Sequence, residues 1–330
     1  MPPTVSVIMP VYNGNKYLAE AIESILSQHF RDFEFLIMDD GSTDNSQDIV
    51  KSYRDRRIKL YRTEKNNGIA KALNSGISVA QGKYIARMDC DDISHSERLR
   101  TQVDFLEEHP EVGLLGTGAL KIKKKRKRKA VFWPPSDPEI KINLLFQNPF
   151  FHPSIMARTD LLRKTGYNEK QIYAQDYGLW IALASQTRFA NLPAALLRYR
   201  THEGQVTKTK GEQQALSARK IRQHYISELF PTITTTELTV HHQLSERNRI
   251  INLNDAKTWL EHLVELNNET KVFPDDLFRK IIARKWWNCC KNNRQNASKL
   301  WQSYKTSYLS TINTGKPRHA MKYLIKALFR

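Results

Sequence analysis

VSVIMPVYNGNKYLAEAIESILSQHFRDFEFLIMDD (residues 5–40) is the stretch whose reading decides the fold. It opens with a short apolar run, VSVIMP at 5–10, and turns through a polar cluster at Pro10–Asn13. The period then changes. In KYLAEAIESILSQ (16–28) the apolar residues Leu18, Ile22, Ile25 and Leu26 recur with helical spacing and share one face. FEFLIMD (33–39) returns to the apolar run of a strand. The same alternation continues through IKLYR (58–62) and KYIARMD (83–89). Repeated β-then-α units of this length predict a mostly parallel sheet covered by helices, and such sheets bind ligands at the carboxyl ends of their strands. Three polar clusters fall at those ends: Pro10–Asn13, Asp39–Ser42 and Asp89–Asp92.

Downstream, SERLRTQVDFLEEHP (96–110) predicts a helix with a serine start and a proline stop. VGLLGTGALKI (112–122) predicts another strand. A helix over 139–147, a short strand near SIMAR (154–158) and a last core strand within 187–202 follow. From about residue 206 the pattern is helical throughout, which divides the chain into a catalytic domain, 1–205, and a basic helical region, 206–330. No internal repeat is visible.

The chain has 330 residues, enough for a large core with an appendage. No run reaches the ~18 apolar residues that cross a bilayer, and MPPTVSVIMP reads as the start of a strand, so a cytoplasmic protein is expected. Cys90, Cys289 and Cys290 have no CxxC spacing, which argues against a structural zinc site and a disulfide framework. The outlying property is a net charge of +18, which asks for an anionic partner. The acidic clusters lie in the first part of the chain. KIKKKRKRKA (121–130) and the final third carry much of the excess positive charge.

Each strand-end cluster has two readings. In MDDGSTDNS (38–46), Gly41 allows a tight turn and a helix beginning near Asn45 aims its positive end toward the same space, which favours phosphate. A carboxylate there can accept from a ribose or base. The plainer reading is a turn and a helix cap. In ARMDCDDIS (86–94), three acids within four positions repel one another. They suit a hard cation such as Mg²⁺ or Mn²⁺, or they form a solvated turn. In AQDYGLWIAL (174–183), Asp176 begins an apolar helix, as a cap by itself or, in company with the other two sites, as a general base.

In this order the pieces resemble the family 2 glycosyltransferases, inverting enzymes of GT-A fold that move a sugar from a nucleotide diphosphate to an acceptor hydroxyl. The resemblance spans about residues 4–207 and rests on VSVIMPVYNGNKYLAEAIESILSQ, FLIMDDGSTDNS, NNGIAKALNSGI, YIARMDCDDIS, NPFFHPSIMAR, AQDYGLWIAL and YRTHEGQVT. It implies that Pro10, Tyr12 and Asn13 form part of the nucleotide pocket, that Asp40 recognises the base with Asp39 beside it, and that Lys71 lies near the donor phosphates. It further implies that Asp89 and Asp91 are the acids of a DxD motif, with Asp89 toward the ribose or sugar, Asp91 on the metal and Asp92 positioning sugar or acceptor. Asp176 matches the catalytic base and His202 a late histidine of the metal site. One departure is Gln175 before Asp176, where the family usually has Glu. The resemblance thus implies a nucleotide-sugar donor, a UDP-sugar by the family's commonest usage, a divalent cation, and a saccharide or lipid-linked saccharide acceptor in surface polysaccharide or lipopolysaccharide synthesis.

The basic run at 121–130 fits a solvated loop or a contact with anionic membrane, and lacks the aromatics that single-stranded nucleic acid would stack on. RHAMKYLIKALFR (318–330) has the spacing of an amphipathic helix, interfacial or packed on the core. Trp286, Trp287 and Trp301 fit an acceptor platform or, more simply, core. Two rival functions are weaker. A nucleic-acid-binding protein leaves the strand-end acids without a use, and a sugar nucleotidyltransferase wants a glycine-rich phosphate loop where PVYNGN stands. No nucleic acid is expected as a partner.

Overall fold

Seven consecutive buried residues, Val5–Val11, form β1, and seven more, Phe33–Asp39, form β2 beside it in parallel. A strand with no face for water has to sit inside a sheet covered on both sides. Ser6 on β1 and Glu34 on β2 satisfy each other, Ser6 Oγ donating to Glu34 Oε1 at 2.6 Å while Glu34 also accepts from Lys59 Nζ at 2.8 Å and the Gln81 amide at 2.7 Å. The computed structural model describes residues 1–122, 129–202, 209–246, 251–292 and 297–312. Residues 123–128 of the basic run, 203–208 after His202, and the stretch 318–330 lie outside them.

The remaining strands are β3 (Ile58–Arg62), β4 (Tyr84–Arg87), β5 (Ile93–Ser94), β6 (Val112–Ile122), β7 (Lys129–Val131), β8 (Met156–Arg158) and β9 (Arg188–Arg200). They form one mixed sheet in the order β3-β2-β1-β4-β8-β6-β9-β5, with β7 on β6. The long ladders, β1–β2 and β6–β9, are parallel, and so are β2–β3 and β1–β4. The antiparallel ladders are short, and two of them, β4–β8 and β8–β6, join the parallel ladders on either side. Helices α1 (Asn15–Leu26), α2 (Ser46–Ser52), α3 (Ile69–Val79), α4 (Arg98–Glu108), α5 (Asp137–Leu144), α6 (Thr159–Thr165) and α7 (Gln175–Leu183) connect them. The expected α/β architecture of GT-A type is the one observed. The sequence reading missed β5 and β7, which have two and three residues and too little length to show a period.

The chain separates into two compact units, residues 1–140 with 148–218, and residues 141–147 with 219–330. The second is helical: α8 (Gly211–Leu229), α9 (Thr235–Ser245), α10 (Leu253–Thr270), α11 (Asp275–Asn292) and α12 (Ala297–Lys305). Its core holds Phe146, Phe230, Trp259, Phe278 and Trp286, all essentially without exposure. Thr234 and Glu237 form a capping box at α9, each satisfying the other's backbone N–H. Trp286 is core, its Nε1 donating to Tyr304 O, and the Tyr304 ring lies against Trp287 and Trp301. Among the described residues no helix is long and apolar enough to cross a membrane.

Candidate active site

The carboxyl ends of β1, β2 and β4 face the same edge because the three strands are parallel neighbours. At the end of β1 the chain breaks its strand geometry at Asn13, whose φ is +50°. The loop is fastened to the one after β2. The Asn13 amide donates to Ser42 Oγ at 3.0 Å, Asn13 Oδ1 accepts from the Thr43 amide at 2.9 Å, and the Gly14 amide donates to Ser46 Oγ at 3.0 Å. Pro10 is buried in β1 opposite Met38, and the Tyr12 ring stands out, 50% exposed.

The two acids of DDGS serve different ends. Gly41, at φ +74°, lets the loop at 65–66 come so near that a Cβ there would meet the Lys65 carbonyl carbon at 2.6 Å. That approach delivers backbone donors to Asp40. Its Oδ1 accepts from the Asn67 amide at 2.9 Å and Thr63 Oγ1 at 3.1 Å, and its Oδ2 from the Gly68 amide at 2.8 Å. Gly68 caps α3, so Asp40 is a remote cap on the positive end of that helix. Asp39 gives Oδ1 to the Ser42 amide at 3.0 Å, while its buried Oδ2 has no hydrogen-bond partner and only Arg62 Nε at 3.8 Å. Both Asp40 oxygens thus accept hydrogen bonds from the loop at 63–68, whereas Asp39 keeps one buried oxygen without a hydrogen-bond partner. Lys71 is exposed in the first turn of α3 and makes no hydrogen bond to these acids or to those after β4.

After β4, the donor oxygens of Asp89, Asp91 and Asp92 lie within 4.8 Å of one another, the one such set of His, Cys, Asp and Glu side chains among the described residues. Like charges at this range need a counter-charge, and part of it is internal. Arg87, 3% exposed, pairs with Asp89. Arg87 is itself held by a second buried guanidinium, since Arg98 Nη2 donates to Arg87 O at 2.6 Å. Asp92 accepts the Arg200 amide on Oδ1 at 2.8 Å and keeps Oδ2 buried without a partner. Asp91 Oδ2 pairs with His202 Nε2 at 2.7 Å, and Arg200 Nε donates to Asp91 O at 2.8 Å. Burial pushes the Asp92 carboxyl well above the usual range, with Asp89 and Asp91 adding to it; burial raises Asp89 too, against the opposing pull of Arg87. An all-oxygen cluster with an unpartnered buried oxygen fits a hard divalent cation. His202 reaches the cluster through Asp91 and stands outside the three-carboxylate set.

Asp176 is in the first turn of α7, whose N-cap is Ala174, so the capping reading does not apply. Its Oδ2 accepts from Asn148 Nδ2 at 2.6 Å and its Oδ1 from the Tyr177 amide at 2.8 Å. Burial raises its pKa; the Tyr177 and Asn148 hydrogen bonds and Arg87 oppose that rise. Gln175 is buried beside it. Nearby, His152 Nε2 and the Tyr167 hydroxyl are 2.7 Å apart, and burial holds His152 well below its usual range. Tyr167 is clamped to α3 by Asn74, which donates Nδ2 to Tyr167 O at 2.9 Å and accepts the Tyr167 amide at 2.8 Å.

Sequence reasoning missed Arg87, Arg200, Asn148 and the His152–Tyr167 pair. Arg87 alone carried a signal, a charge inside the apolar run YIARM.

Residues 6–166 match the family model described as Glycosyl transferase family 2. EpsE of Bacillus subtilis, a glycosyltransferase by name, is 40% identical over 205 residues, which cover 60% of this chain and 73% of EpsE. The amylovoran biosynthesis glycosyltransferase AmsE of Erwinia amylovora is 32% identical over 211 residues, 62% of this chain and 79% of AmsE. Among solved structures, residues 1–349 of S. aureus TarS in complex with UDP-GlcNAc superpose with a TM-score of 0.59 at 22% identity, over 93% of this chain and 92% of that one. At that identity the likeness is one of fold.

Proposed function

This chain belongs to glycosyl transferase family 2, and on that premise we propose that it moves a sugar from a nucleotide diphosphate, a UDP-sugar, to a hydroxyl of a glycan or lipid-linked saccharide. The pathway class is surface polysaccharide or lipopolysaccharide synthesis, a reading supported by the relationship to AmsE, whose name places it in amylovoran biosynthesis. Within residues 1–205, the observation that carries the reading is the shared edge of β1, β2 and β4. An exposed aromatic ring, an unpartnered Asp39 oxygen and a three-carboxylate cluster meet there.

In this proposal the base stacks on Tyr12 and is recognised by Asp40, with the Asp39 carboxylate beside it. Pro10 and Asn13 shape the pocket floor, and Lys71 contributes positive charge on the phosphate side. Asp91, with Asp89 and Asp92 beside it and His202 behind, would hold Mn²⁺ or Mg²⁺. When bound, that cation supplies positive charge for the leaving diphosphate. Asp89 faces the ribose or sugar and Asp92 positions the sugar or acceptor. Asp176 takes the proton of the acceptor hydroxyl as its oxygen attacks the anomeric carbon opposite the diphosphate, which inverts the configuration in one displacement. The excess positive charge at 121–130 and in the carboxyl-terminal third gives the protein a peripheral hold on the anionic inner face of the cytoplasmic membrane, where a lipid-linked acceptor resides.

A thermal-shift screen of nucleotide sugars with and without Mn²⁺ tests the proposal, because a ligand that binds only the native state raises Tm. A UDP-sugar is expected to raise Tm with Mn²⁺ present. A protein that no nucleotide sugar stabilises in either condition refutes it. The difference in partners between the two adjacent acids gives a second test. Asp40→Ala strands backbone donors and is expected to cost about 1–3 kcal/mol of stability. Asp39→Asn is expected to leave Tm unchanged and to weaken nucleotide binding about tenfold, the size of one lost hydrogen bond to a charged group. Equal effects of the two substitutions on Tm would overturn the assignment.

A further inference from the structure

We propose that Asn148 is a positioning residue, whose side-chain amide holds the Asp176 carboxylate in the orientation and the ionised form that proton removal requires. The proposal rests on the reading of Asp176 as the base.

The orientation of Asn148 is set from both ends of its amide. Nδ2 donates to Asp176 Oδ2 at 2.6 Å. Oδ1 accepts from the Phe150 amide at 3.1 Å and from Trp180 Nε1 at 3.1 Å. Turned over, the amide would set its oxygen against the carboxylate and its NH₂ against two N–H donors, so three contacts would become three repulsions. Trp180 cannot yield to such a change. It is wholly buried, with the Phe150 ring centroid 5.3 Å away and the His152 ring edge-on at 5.8 Å. Trp180 is on α7, one turn beyond Asp176, so a single helix carries both the base and the group that aims its partner.

The donor also selects a protonation state. An amide N–H serves a carboxylate oxygen, whereas a carboxylic acid would have to turn its own proton away from it. Burial alone favours the neutral acid, which is useless as a base. The charged and titratable groups around Asp176 divide: Arg87 on β4 favours its ionised form, while Asp89 beyond β4 opposes it. Tyr167, with its hydroxyl held by His152, is a neutral neighbour. With one donor on each oxygen, Asn148 on Oδ2 and the Tyr177 amide on Oδ1, the carboxylate keeps lone pairs for the acceptor hydroxyl.

The test is a ¹³C NMR titration of the aspartate carboxyl carbons in the full chain, with the Asp176 signal assigned by its loss in Asp176→Asn. In Asn148→Ala, the Asp176 midpoint is expected to rise by about one pH unit or more, and Asn148→Asp, nearly isosteric, is expected to raise it further through like-charge repulsion. A midpoint unmoved in both variants overturns the proposal, as does a lowered Tm that accompanies an unmoved midpoint. UDP release from UDP-GlcNAc with Mn²⁺ separates the two readings. Full activity in Asp176→Asn would defeat the base assignment and leave the titration to judge Asn148. Loss in Asp176→Asn, with wild-type rate and midpoint in both Asn148 variants, would defeat the Asn148 role alone.

Discussion

Asp176→Asn is expected to lower kcat for sugar transfer by about 10³-fold, the contribution of a positioned general base, with donor affinity unchanged. Asparagine keeps the shape of the side chain and removes its capacity to take a proton. Two effects on the fold oppose each other. Burial raises the Asp176 pKa above its ordinary value of 3.8, so ionised Asp176 costs the native state. A group raised in this way contributes stability that is present below the ordinary carboxylate pKa and lost as pH rises through the raised one. At neutral pH the neutral amide removes that cost, but its NH₂ faces either Asn148 Nδ2 or the Tyr177 amide, so a modest net change in Tm is expected. Transfer measured with donor binding and Tm on the same protein decides the matter. An active Asp176→Asn enzyme would end the base assignment, and one that no longer binds donor would show that the residue acts in binding. For the wild type, activity is expected to fall on the acid side at a pH above that of an ordinary aspartate.

Asp91→Asn is expected to remove Mn²⁺ binding and to lower transfer by about 10²-fold or more, the scale of losing a group that stabilises transition-state charge. Asp91 has this weight because of its place. Its Oδ2 carries the His202 pair, its backbone oxygen is gripped by Arg200, and its carboxylate is one of three that close to within 4.8 Å. Electron paramagnetic resonance of added Mn²⁺ reads the binding directly. A chelator is expected to suppress wild-type transfer, and Mn²⁺ or Mg²⁺ to restore it. Transfer indifferent to chelator, or Mn²⁺ bound undiminished by Asp91→Asn, would remove the metal role. Arg87 limits the effect on stability, because that guanidinium already offsets part of the cluster's charge through Asp89.

Much of the fold was legible along the chain, for a physical reason. Parallel strands and their covering helices are local objects whose signatures, a short continuous apolar run and a 3.6-residue apolar period, survive in one dimension. VSVIMP, KYLAEAIESILSQ, FEFLIMD and VGLLGTGALKI each declare themselves in this way. Strands of two or three residues have no period to show, and β5 and β7 exist because β9 and β6 offer them edges. The acids of the site were legible too, since strand ends and their turn residues are local.

The sequence by itself thus determined the α/β architecture, the family, and the aspartates at the ends of β2 and β4 and the start of α7. Tertiary structure alone decided which partners those aspartates have. DDGS does not distinguish its two acids; the approach of the 65–68 loop does, by giving its amides to Asp40 and none to Asp39 Oδ2. ARMDCDDIS does not say what offsets its repulsion; the burial of Arg87 against Asp89 does. Nor does anything local to AQDYGLW predict that Asn148, 28 residues earlier, donates to Asp176. Hydrogen bonds and ion pairs act over about 3–4 Å of space whatever the separation along the chain, so the partner of a buried carboxylate becomes known only when the elements carrying both are packed.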